Sequence, residues 1–159
     1  MIKKLNLGCG KDYREGWVNA DFTDRVKVDK IVDGNKVFPF PDNTFDYVLA
    51  QRMLNDMEDF VFTINEIHRV CKHGAIFIAH LCYYNSPTAW NEPISKRGFT
   101  ENAMDFWDST TPMGRSVGHE VDIKNHEFRI LAKKKIRGRF NPFRIYSVIF
   151  KLKVIKEER

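Results

Sequence analysis

Lys3-Lys4-Leu5-Asn6-Leu7-Gly8-Cys9-Gly10 decides how the rest of the chain is read. Leu5 and Leu7 have the spacing of buried teeth on a short strand. Gly8 and Gly10 come immediately after, so the strand stops on two closely spaced glycines. That arrangement suggests a nucleotide-type site at the carboxyl edge of a parallel sheet. A Gly-x-Gly pair also serves ordinary turns, so the pattern takes its meaning from the residues downstream.

Downstream the chain has an α/β order. Gly16 ends a short connection, and Trp17-Val18-Asn19-Ala20 reads as a second strand that stops at Asp21. Only about one turn of helix fits between Lys11 and Glu15, whereas a parallel crossover usually spans a dozen or more residues. Val26 to Val32 alternates imperfectly and ends at Asp33-Gly34. Phe45 to Ala50 is a strong strand, apolar on both sides toward its end, as a strand covered on both faces is. Met57 to Cys71 has one apolar stripe (Met57, Phe60, Val61, Ile64, Ile67, Val70, Cys71), which predicts a helix. Asp56 is its expected N-cap and Gly74 its stop, with His68 on the polar side. Ala75 to Leu81 is the next strand. A second helix is expected from Glu101 to Asp108, with Trp107 in the core. Phe128–Ile136 and Arg144–Ile155 read as a final antiparallel pair. The fold class is α/β, one domain built on a mainly parallel sheet.

Composition narrows the function. The 159 residues are 43% hydrophobic, enough for one core, and the formal charge is +5. Lys133-Lys134-Lys135 and its neighbours carry much of that excess. Such a run favours anionic partners or is simply a solvated face. The three cysteines, Cys9, Cys71 and Cys82, have neither disulfide-scaffold nor zinc-ligand spacing, and no metal site is expected. No apolar run is long enough to span a bilayer, so a cytoplasmic protein is expected.

Asp21 lies about a dozen residues after the glycines, at a strand end where a carboxylate accepts from ribose hydroxyls. A dinucleotide fingerprint has a third glycine and an acid nearer twenty residues on, so a nicotinamide cofactor is disfavoured. Asp33 ends the next strand on the same side.

Four stretches now occur in a distinctive order: Leu5-Asn6-Leu7-Gly8-Cys9-Gly10, Gly16-Trp17-Val18-Asn19-Ala20-Asp21, Pro39 to Val48, and Glu66-Ile67-His68-Arg69-Val70-Cys71-Lys72-His73-Gly74. Together they resemble the small class I S-adenosylmethionine-dependent methyltransferases. The resemblance implies a Rossmann-like, mainly parallel seven-stranded sheet with an antiparallel last strand. It implies that Leu7, Gly8, Cys9 and Gly10 pass the methionine part of S-adenosyl-L-methionine. Asp21 would hold the ribose, Asp33 and Gly34 would lie at the adenine, and Gln51 would line the methionine side. Two stretches depart from the family. Histidines common in relatives are absent from Gln51-Arg52-Met53-Leu54-Asn55-Asp56 and from Glu92-Pro93-Ile94-Ser95-Lys96-Arg97.

Methyl transfer tolerates such losses, because holding the acceptor in line with an activated methyl supplies much of the rate. Where the acceptor must lose a proton, His80 and His119 are the candidate bases. The acceptor-side segments are 83–99 and 110–126, with Tyr83, Tyr84 and Trp90 as candidate walls and Lys96 and Arg97 as candidate anion contacts. The expected activity is methyl transfer to a small-molecule or glycan-type acceptor, by a monomer or homodimer. The alternatives are a non-catalytic cofactor- or partner-binding protein of the same fold and an RNA-directed methyltransferase, although no aromatic-basic RNA motif is present.

Overall fold

The computed structural model describes residues 2–117, 126–139 and 144–156. Its centre is a seven-stranded sheet in the order β3-β2-β1-β4-β5-β7-β6. The strands are β1 (Lys4–Leu7), β2 (Val18–Asp21), β3 (Lys30–Ile31), β4 (Phe45–Gln51), β5 (Cys71–Cys82), β6 (Phe128–Arg137) and β7 (Ile145–Val154). The first five run parallel, and β7 is antiparallel to both β5 and β6. This is the sheet the resemblance implied. The stretch from Val26 contributes only Lys30 and Ile31, both exposed, instead of a full strand.

Helix α1 (Phe60–Val70) connects β4 to β5. Its buried residues Phe60, Ile64, Ile67 and Val70 meet Leu5, Leu7, Val48, Phe77, Phe150 and Leu152 in one cluster. Each such burial contributes about 1.5–3 kcal/mol. The helix starts later than periodicity predicts. Asp59 is the N-cap, its carboxylate accepting from the Phe62 N–H at 2.9 Å. Leu54–Asp56 forms a separate 3-10 turn. The far end differs as well. Cys71 is already extended, and Lys72 to Gly74 belong to β5, where Gly74 adopts φ +77° in the irregularity between the Phe45 and Tyr47 pairings. Gly74 therefore allows a bulge.

His68 is buried, not on a polar face. Its Nε2 lies 2.9 Å from the Ile155 carbonyl, and its ring stands edge-on to Phe128. Glu66 and Arg69 are structural too. Glu66 accepts from the Phe38 N–H and pairs with Arg69, which also donates to the Phe38 and Phe40 carbonyls. The pair fastens the Pro-rich 38–42 stretch to α1.

The predicted helix at 101–108 is a series of turns ending in a 3-10 turn at Asp105–Trp107. Thr100 and Asp108 bond to backbone N–H groups two residues on, which competes with a helical ladder. Trp107 is buried against Phe60 as expected. A short helix, α2 (Pro112–Val117), comes next. The lysine run splits by strand alternation. Lys133 and Lys135 turn toward the 100–107 segment and pair with Asp105 and Glu101, while Lys134 sits opposite Ile149 on the other face.

Candidate functional site

The chain runs outward from β1 to β3, then returns to place β4 on the other side of β1. The crevice above the carboxyl ends of β1 and β4 is therefore the topological switch point, where open α/β sheets bind ligands. Leu7, Gly8, Cys9, Gly10 and Gln51 stand at or just beyond those strand ends, and Asp21 ends the neighbouring β2 on the same side. Asp33 and Gly34 come after β3 on the same side.

Short hydrogen bonds fix the loop after β1. The Cys9 N–H donates to Ala20 O at 3.0 Å, and the Gly10 N–H donates to Asp21 Oδ2 at 2.9 Å. Beneath them Asn6 and Asn19 are buried and bonded to one another, and Asn19 also holds Arg14 and Asp29. This polar knot does the work of the missing crossover helix. It lets residues 8–17 return to the sheet without one. The signal was present in the sequence, in two asparagines at inward strand positions, but their partners lie in a loop that periodicity does not describe.

The two glycines play different parts. Gly8 has φ +66°, and a methyl built on it would come 2.6 Å from Met53 Cβ and Cγ. Its lack of a side chain accommodates Met53. Gly10 has φ +48° and nothing within 4 Å of a Cβ position. It leaves an open cradle beside Asp21. Asp21 is only 6% exposed, and its second carboxylate oxygen receives no hydrogen bond from a described residue. An open glycine face next to a carboxylate with a free acceptor suits a hydroxyl-bearing sugar. Phe22, the next residue, is 68% exposed. It is a large aromatic at the mouth that strand patterning passes over.

Cys9 is nearly buried, and burial together with the charge of Asp21 pushes its thiol pKa up. A buried thiol with a raised pKa is a poor nucleophile. Asp33 makes a turn with Asn35 and pairs with Lys36, and both hold its pKa below the ordinary value. Gly34 is packed against the Met57 sulfur and Met53.

On the acceptor side, Gln51 is paired in register with His80. His80 Nε2 lies 2.8 Å from Ser147 Oγ. Burial, then the Arg52 charge, lowers its pKa. Arg52 has φ +57°, rare for a side-chain-bearing residue, with its N–H bonded to His80 O. His119 lies outside the described residues. Arg97 is partly engaged, its Nη2 donating to Met57 O and Glu58 O, and Lys96 pairs with Glu58. Tyr83 is buried and donates to Glu101, whereas Tyr84 and Trp90 remain exposed.

The two segments that depart from the family touch each other. Buried Asn55 accepts from the Cys82 N–H and donates to Arg97 O, and its own carbonyl accepts from Lys96 and Arg97. Asp56 accepts from Ser95 Oγ at 3.1 Å, and burial raises its pKa. Sequence patterning does not reveal this partly buried carboxylate in the turn after β4.

Among the described residues no cluster suits a metal ion, and no helix is long and apolar enough to cross a membrane.

Residues 9–79 match the family model of a methyltransferase domain. The switch-point site and the seven-stranded order are those of the class I S-adenosylmethionine-dependent methyltransferase fold. Among solved structures, an S-adenosylmethionine-dependent methyltransferase from Mesorhizobium loti superposes with a TM-score of 0.67 at 14% identity, over 96% of this chain and 90% of that one. The cyclase SpnF superposes with a TM-score of 0.66 at 15% identity, over 98% and 76%. A demethylmenaquinone methyltransferase of Geobacillus stearothermophilus is 42% identical over 50 residues, 31% of this chain and 21% of the relative. Its counterpart in Lysinibacillus sphaericus is 38% identical over the same length. The chain thus spans about a fifth of the curated relatives it matches.

Proposed function

We propose that this protein transfers the methyl group of S-adenosylmethionine to a small-molecule acceptor. The observation that carries this reading is the open face of Gly10 beside the unshared oxygen of Asp21, at the switch point of the sheet. Asp21 holds the ribose hydroxyls. The backbone of Leu7, Gly8, Cys9 and Gly10 runs beside the methionine part, with Gln51 on its far side. Asp33 and Gly34 lie at the adenine end. The bound sulfonium supplies a methyl already activated by charge. The chain's own contribution is to hold the acceptor in line with it and to exclude water. His80, held by Ser147, takes a proton from a hydroxyl acceptor in this reading. Asp56 is a second candidate for that role. Segments 83–99 and 110–126 supply the acceptor pocket, with exposed Tyr84 and Trp90 at its wall.

The acceptor class we favour is a hydroxylated ring of the quinone type, since the curated relatives are demethylmenaquinone methyltransferases; a glycan-type acceptor is next. An RNA acceptor recedes, because Lys133 and Lys135 are spent on Asp105 and Glu101. We place the protein in the cytoplasm, as a monomer or homodimer.

Calorimetric titration with S-adenosylhomocysteine and with NAD tests the cofactor. One-to-one binding of the first alone is expected, and no binding of it sinks the proposal. Asn55 supports a second reading, a cofactor-binding protein without transfer activity. It stands in a stretch where relatives carry a histidine, and its side chain is consumed by backbone bonds. Labelled-methyl transfer to a panel of hydroxylated rings separates the two.

A further inference from the structure

We propose that the uncovered face of the sheet is a docking surface for an acidic amphipathic helix from a partner protein. The face is fixed by register. Val148, Phe150, Leu152 and Val154 of β7 are buried on the α1 side, so Ile149, Lys151 and Lys153 point the other way. Ile149 sits opposite His80, Lys151 opposite Ile78, and Lys153 opposite Ile76. Ile76 in turn pairs with Tyr47, and Ile78 with Leu49. Half-buried Tyr47, Ile76, Ile78 and Ile149 thus form an apolar strip across three strands, with buried Leu49 at its inner edge.

Doubly wound sheets carry helices on both faces. Here the connections from β1 to β2 and from β2 to β3 contain no helix, and α1 lies on the opposite face. Described cover over this face comes from the 11–17 loop, whose Trp17 stands edge-on to Tyr47. The isoleucines are left half-buried. The sequences of β4 and β5 are those of strands covered twice, and among the described residues no helix covers this face.

Charge selects the occupant. Lys134, Lys151 and Lys153 rim the strip, exposed, and none makes an ion pair with a described residue. The acids of the covering loop, Asp12 and Glu15, are already paired with Arg14 and Lys27. A second copy docking by a two-fold axis would set lysines against lysines. A flat lipid surface would meet the long lysine stems before the recessed isoleucines. A helix lays a ridge of apolar side chains between the lysines and offers its flanking carboxylates to them.

The test uses two synthetic amphipathic peptides of about 18 residues with one shared Leu/Ile stripe, flanked by Glu in one and by Lys in the other. Binding to the full chain is monitored by NMR. The Glu peptide is expected to shift Tyr47, Ile76, Ile78 and Ile149 while leaving α1 unmoved. The K151E/K153E variant, altered only at exposed positions, should bind it about tenfold or more weakly and gain affinity for the Lys peptide. Equal binding of both peptides, or shifts elsewhere, overturns the proposal. So does binding of phosphatidylglycerol vesicles without peptide binding, or a dimer in sedimentation equilibrium that K151E/K153E abolishes. None of these readings depends on cofactor binding, so the proposal stands or falls apart from methyl transfer.

Discussion

Replacing Asp21 separates its two duties. One oxygen fastens the Gly10 N–H at 2.9 Å, and the other is unshared among the described residues. Asp21→Ala removes both. Hydrogen bonds to a charged acceptor contribute roughly 1.5–3 kcal/mol each, so losing a ribose pair costs about 3–6 kcal/mol of binding. That corresponds to a roughly 150- to 25,000-fold rise in the Kd for S-adenosylhomocysteine. The stranded Gly10 N–H costs about 1 kcal/mol of folding stability. Asp21→Asn keeps an acceptor for Gly10 but loses the charge, so stability should hold while affinity falls by an intermediate amount. Calorimetry at 25 °C measures the affinity, and urea unfolding measures the stability. If Asp21→Ala binds within about twofold of the parent while destabilised by about 1 kcal/mol, Asp21 only fastens the loop and the ribose assignment is wrong.

Further substitutions probe the same machinery. Gly10→Ala should cost about 1 kcal/mol for its left-handed backbone and weaken the cofactor analogue, whereas Gly8→Ala should cost more because Met53 must move. Equal stabilities in urea would refute the distinction. Asn55→Ala strands the Cys82 N–H and the Arg97 carbonyl, a loss of about 2–4 kcal/mol, and should speed proteolysis within 92–97. An unchanged urea midpoint would refute it. Burial lowers the His68 pKa from 6.5 to about 4, so its contribution is complete above pH 6.5 and is lost as pH falls toward 4. The loss amounts to about 3 kcal/mol. In His68→Asn the slope of stability between pH 6.5 and 4 should flatten, and an unchanged slope would move the acid sensitivity elsewhere.

Periodicity reveals the strands at 45–50 and 75–81, the α1 stripe and the closing antiparallel pair, because each buries a regular face. It misplaces whatever depends on side chains reaching distant backbone. The start of α1 moves to Asp59 because Leu54 and Asn55 are claimed by the 3-10 turn and the 95–97 stretch. Periodicity puts His68 on the polar side of a stripe, yet β6 and the end of the chain cover it. The site positions at strand ends are legible as positions. That Gly8 serves a methionine and Gly10 an opening is not, since one spacing pattern fits both. The part played by Asn55 and Asp56 is hidden because their partners lie some forty residues away.

The polar knot of Asn6, Asn19 and Asp29 has a consequence for how the molecule breathes. Residues 8–37 are tied to the sheet largely by hydrogen bonds and ring contacts of Trp17, with no helix to bury and only Ala20, Val32 and the edge residue Val18 in the apolar cluster. The half made of β4, α1, β5, β6 and β7 holds the large apolar cluster. Amide exchange should therefore run through two cooperative units, with 8–37 opening well below the global unfolding free energy. The opening unit is also the one that carries Gly10, Asp21 and Asp33. A ligand seated there spends part of its binding energy on closing that unit, and its footprint in exchange would extend across the whole of 8–37 instead of stopping at the residues it touches.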